Sequence, residues 1–133
     1  MEDWEEETAA DLRDAESRLA PLLLSLSGEP TDEQLESIWR AYVNVEKSVV
    51  FVRVELDEDN PGRFVNARAY RVPDERQAVS FALNHLREGA RLFESGELAG
   101  SLGELRESRN YLRVLLREKG LLKARRIRAS RSA

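Results

Sequence analysis

The sequence predicts an all-α fold: an antiparallel bundle of about four helices built on a C-terminal αα-hairpin. Three observations carry this. Residues 73–119 hold two apolar helical stripes joined by the tight Ser95-Gly96-Glu97 turn, and so short a connection makes its two helices antiparallel neighbours. Thr31-Asp32-Glu33-Gln34 is a capping box, in which the threonine oxygen takes an orphan N–H while the glutamine reaches back to the cap. The first 27 residues carry Trp4, Thr8, Leu12, Ala15, Leu19, Leu22, Leu23 and Leu26 on one stripe of an amphipathic helix.

Glu2, Asp3, Glu5, Glu6 and Glu7 lie where the positive end of a first helix favours anions. Pro21 has no N–H to give and should end or kink that helix near Ala20, and Ser27-Gly28-Glu29-Pro30 then breaks the chain. From the capping box a second stripe runs through Leu35, Ile38, Trp39, Tyr42, Val45 and Val49, and keeps its phase into Val52 and Leu56.

The run Val49–Leu56 is rich in β-branched residues, and Asp59-Asn60-Pro61-Gly62 follows it with turn chemistry. Beyond that turn Val65, Ala67 and Ala69 alternate with polar neighbours. An α+β fold with a β-hairpin at about 48–72 is therefore the alternative. The long helix is preferred because no Gly or Pro interrupts the stripe before Asp57, and because an isolated two-stranded hairpin is marginal. It turns Phe51 toward a polar side and leaves 57–73 as a long connection packed through Phe64, Val65 and Tyr70.

Pro73 with Asp74 and Glu75 restarts a helix. Its wide apolar face (Ala78, Val79, Phe81, Ala82, Leu83, Leu86, Ala90, Leu92, Phe93) predicts a central position with two partners. Gly96 suits the left-handed cap that closes it. The last helix carries Leu98, Leu102, Leu105, Leu112, Leu115 and Leu116, with Gly100, Ser101, Gly103 and Ser108 as small side chains beside which a neighbour can approach. The single domain is expected to span 1–120, followed by a basic tail at 121–133 that is expected to be mobile.

The chain has no cysteine, which excludes disulfides, thiolate metal sites and cysteine nucleophiles. Its apolar runs are far shorter than the roughly 18 residues of a membrane-crossing helix, so a cytoplasmic protein without membrane contact is expected. The formal charge of −4 divides into −12 over residues 1–60 and +8 over 61–133. Pairing between these halves inside the fold is the expected use of that asymmetry.

Three sets of side chains bear on function. His85 is the only histidine, with Asn84 beside it and Asn110 and Tyr111 on the partner helix. It is read as a packing residue, and no cofactor is expected. Glu33-x-x-Glu36 and Glu55-x-x-Glu58 with Asp59 are carboxylate sets that could share magnesium. They resemble, over those few residues, the paired motifs of the all-helical nucleoside triphosphate pyrophosphohydrolases. That resemblance implies magnesium-dependent nucleotide hydrolysis, although one continuous helix would hold Glu33 and Glu58 about 37 Å apart. Lys119, Lys123, Arg125, Arg126, Arg128 and Arg131, with an arginine ridge of Arg106, Arg109, Arg113 and Arg117, offer weak, salt-sensitive nucleic-acid contact. The leading expectation is a non-enzymatic bundle that acts by self-association or by binding another macromolecule, as a homo-oligomer or with a protein partner.

Overall fold

The computed structural model describes residues 2–57, 67–72 and 74–120. These form helices α1 (Asp3–Leu19), α2 (Leu22–Ser25), α3 (Asp32–Glu55), α4 (Glu75–Glu94) and α5 (Leu98–Glu118), with a 3₁₀ turn at Ala67–Tyr70 before α4. The fold is an all-α bundle of four long helices.

Local chemistry sets most helix ends. Ala20 caps α1 just before Pro21, and the short α2 turns the chain back. At Thr31 both halves of the capping box are made: Gln34 N donates to Thr31 Oγ1 at 3.1 Å, and Thr31 N donates to Gln34 Oε1 at 2.9 Å. Gln34 Nε2 also donates to the Ser25 carbonyl at 3.2 Å, so the cap ties α3 to the end of α2. Asp74 accepts from Gln77 N and caps α4. Between α4 and α5, Gly96 has φ +81°; Gly96 N donates to Phe93 O and Glu97 N to Leu92 O, the paired bonds of a Schellman turn.

The β-hairpin alternative at 48–72 is corrected by the structure. Residues 48–55 continue α3 and 67–70 form a 3₁₀ turn, so no strand occurs among the described residues; the Asp59–Gly62 turn and Val65 lie outside them. The valines stay helical because Ser48, Val49 and Val52 fall on the same buried face as Ile38, Ala41 and Val45, and burying that face outweighs a weak β preference. Phe51 finds a use on the polar side, with Lys47 Nζ 5.7 Å from its ring centre. The helix ends where Asp57 adopts φ 54°, a left-handed position that Asp tolerates better than most residues.

The helices form a ring in the order α1, α3, α5, α4, each packing on its two neighbours, so that α3 and α4 face each other across a diagonal. Thus α4 has the two partners expected of it, α5 and α1, but occupies a corner like the other three. Cross-helix contacts fix the directions. Lys47 reaches Glu7 and Asp11 while Asn44 reaches Asp14, which makes α1 and α3 antiparallel. Trp4 packs on Phe93 while Glu16 pairs with Arg87, which does the same for α1 and α4. It follows that α3 and α4 point the same way, so the connection between them must travel the height of the bundle. This is the physical reason for its length. Its described part climbs α5: Tyr70 OH donates to Glu107 at 3.0 Å and stacks edge-on against Tyr111, and Arg71 pairs with Glu118 at 2.8 Å.

The core is a continuous cluster that includes Leu12, Leu19, Ile38, Val45, Val52, Leu83, Leu86, Leu105, Leu112 and Leu116. The α4·α5 seam has its own register. Ser101 Oγ donates to Gly89 O and Ser108 Oγ to Ala82 O, both at 2.7 Å, so two buried hydroxyls seven residues apart dock on two carbonyls seven residues apart. Gly89 permits this approach, because a Cβ there would lie 2.7 Å from Leu105 Cδ2. Gly103, by contrast, faces open space.

Candidate functional site

The carboxylates do not converge. Glu33 and Glu55 stand at opposite ends of one unbroken helix, about 33 Å apart at ~1.5 Å per residue, and both are exposed. Glu36 pairs with Arg40 on its own helix at 3.2 Å. Glu58 and Asp59 lie outside the described residues. Among the described residues no three His, Asp or Glu side chains are grouped as a cation would require.

Of the six basic residues proposed for nucleic-acid contact, Lys119 alone is described; Lys123, Arg125, Arg126, Arg128 and Arg131 lie outside. Lys119 Nζ is bound by two acids, Glu29 in the link before α3 and Glu75 at the start of α4, the latter at 2.6 Å. These bonds raise the ammonium pKa, that to Glu29 first, and hold the Glu75 carboxyl below its usual range. Lys119 therefore ties three chain segments at one end of the bundle. The ridge also divides: Arg117 is exposed, whereas Arg109 is only 6% exposed and is no surface group.

Arg109 belongs to a polar network between α3 and α5 that the sequence pattern missed. Its Nη1 lies 3.5 Å from Glu46 Oε1, and its Nε donates to Asn110 Oδ1 at 3.2 Å. Tyr42 OH donates to Glu46 Oε2 at 3.0 Å. Burial, then the Glu46 charge and hydrogen bond, push the Tyr42 phenol up to about 12. The one available signal was position: Arg109-Asn110 sits between Leu105 and Leu112, on the edge of the apolar stripe. Together with Glu16–Arg87 and Glu29–Lys119, the Glu46–Arg109 pair joins the acidic first half of the chain to the basic second half.

His85 also has named partners. Its Nδ1 lies 2.6 Å from Glu104 Oε2 on α5, which places the proton on Nδ1, and its ring stacks on Tyr111 at 5.9 Å. Phe81 stacks on the same tyrosine at 5.3 Å. Asn84 is exposed, and Asn110 is buried beside Arg109.

Comparison of the chain with protein-family models, with curated proteins and with solved structures finds no match.

Among the described residues, large apolar side chains reach the surface singly at Leu24 of α2 (90% exposed) and Leu56 after α3, and also on α4 and along α3. On α4, Phe81 is 43% exposed at the edge of the Tyr111 stack. On α3, Val43, Val50 and Val54 are 42%, 44% and 72% exposed on the side opposite the core. No helix among the described residues is long and apolar enough to cross a membrane.

Proposed function

We propose that this chain works by association, with a second copy of itself or with another macromolecule, rather than by catalysis. One observation carries the reading: the three outward valines of α3. An apolar side chain exposed singly needs no explanation, but a row of them along one helix opposite a filled core is the kind of surface that association covers. The ion pairs are compatible with this role. Those of Lys47, Arg87, Arg109 and Lys119 hold helices to one another and stabilise the scaffold that presents the row.

The test is light scattering or sedimentation of the full chain from low to high micromolar concentration. Average mass should rise above that of one chain as concentration increases. A chain that stays monomeric across the whole series, at low and high salt alike, refutes self-association as the form this function takes.

A further inference from the structure

We infer that the outward crest of α3 is a self-recognition surface that pairs with the same crest of a second copy, parallel and in register; the inference rests on the association reading above. At about 100° per residue, Val43, Val50 and Val54 fall within about 40° of one another around α3, opposite Val45 and Val52 of the core, with the half-buried Trp39 at one margin of the strip and Glu36, paired with Arg40, at the other. The spacing along the strip makes two apolar pairs, Trp39 with Val43 and Val50 with Val54, separated by a stretch in which Glu46 and Lys47 straddle the midline. Lys47 lies on the α1 side, where it meets Glu7 and Asp11; Glu46 lies on the α5 side, where it meets Arg109.

The charges choose the partner and its direction. A two-fold axis running along the helices brings each flank of the crest against the opposite flank of the second copy. Lys47 then meets Glu46 of the second copy, and the reciprocal pair forms on the other side. Arg40 comes level with Trp39 of the second copy, and Phe51 with Arg53, both contacts of cation and aromatic ring. An antiparallel copy would instead set Lys47 against Lys47 and Glu46 against Glu46. Both groups have capacity left: Lys47 uses two of its three ammonium protons on Glu7 and Asp11, and each Glu46 oxygen accepts once, from Arg109 or Tyr42. One helix crest on each side is a small contact, so the dimer is a weak one that forms and dissociates with concentration.

Sedimentation equilibrium of the full chain tests this. Val50→Glu and Val54→Glu are compared with Phe81→Glu, which places the same change on α4, and far-UV circular dichroism verifies the fold of each. The crest variants should raise the dimer dissociation constant at least tenfold while Phe81→Glu leaves it unchanged. The chain has no cysteine, so Val54→Cys introduces a single thiol for a short bismaleimide. A parallel pair brings the two thiols together and yields a covalent dimer. An antiparallel pair holds residue 54 about 24 Å from its counterpart, given ~1.5 Å per residue and 8–10 Å between axes, and yields none. A dimer indifferent to the crest variants overturns this inference and leaves the association reading standing. A crest-dependent dimer without the Val54 cross-link overturns the parallel register. A parent chain that is monomeric at every concentration overturns this inference together with self-association as the form of the association reading, and leaves only a different macromolecule as partner.

Discussion

Removing the charge of Glu46 should destabilise the bundle because it strands a buried guanidinium. Glu46→Gln keeps the size of the side chain and an acceptor for Tyr42, so the change isolates the ion pair with Arg109. Breaking a fully buried pair by removing one partner costs about 3–5 kcal/mol, and a solvated one about 0–1 kcal/mol. Arg109 is buried, but the Glu46 side chain is 35% exposed and the closest approach is 3.5 Å, so water already screens the pair. An intermediate loss of roughly 1–2 kcal/mol follows, a fall in Tm of about 4 °C per kcal/mol for a chain of this size. Arg109→Met keeps the apolar stem and removes the buried charge, and should lie within about 1 kcal/mol of the parent. In that background Glu46→Gln should cost less than about 0.5 kcal/mol. Urea unfolding followed by the fluorescence of Trp4 and Trp39 measures all four corners of the cycle. An equal loss from Glu46→Gln in both backgrounds would show that the carboxylate acts through something other than Arg109.

Gly89→Ala and Gly103→Ala make the same chemical change with opposite expected signs. The first drives a methyl into the buried Leu105, an overpacking of about 1–3 kcal/mol against a helix-propensity gain of about 1, whereas the second keeps that gain in open space. Denaturation midpoints that move in the same direction would contradict the seam geometry. In a spectrophotometric titration the Tyr42 phenol should ionise near 12. Because the folded state keeps a proton that the unfolded state releases near 10, the stability linked to this phenol is intact below pH 10.0 and is lost as pH rises through about 12. Glu46→Gln should bring that ionisation down; a Tyr42 titration unchanged by the substitution would discount the network. Lys119→Met should lower stability by at most about 1 kcal/mol at neutral pH. The Glu75 carboxyl is held low by Lys119, so its contribution is present above 4.5 and fades as pH falls through the depressed value. The variant should therefore lose less than the parent on acidification, as read by urea titrations above and below that pH.

Helix ends were legible in the sequence wherever a local contact makes them. Thr31 and Gln34 satisfy each other within one turn, Pro21 lacks an N–H in any surroundings, and Gly96 adopts a backbone angle that other residues resist. The phase of the stripe from Leu35 to Val52 likewise carried α3 through its valines, since periodicity of burial outweighs their individual preference. The expected limit of that stripe near Asp57 agrees with the helix end, although the left-handed conformation of Asp57 itself carries no sequence mark as distinctive as Gly or Pro.

What the sequence by itself determined is therefore the all-α class, the hairpin and the stripes that fill the core, all properties of residues a turn apart. Only the tertiary structure decided that α4 runs in the same direction as α3, that Gly89 rather than Gly103 admits its neighbour, and that Arg109 turns inward to Glu46 instead of joining a surface ridge. It likewise decided that Val43, Val50 and Val54 of α3 face outward while Val45, Val49 and Val52 are buried. The reason is one of range. Capping and periodicity act between near neighbours along the chain, whereas the surroundings of Arg109 or Val54 are fixed by helices many residues away, whose placement no single stretch encodes.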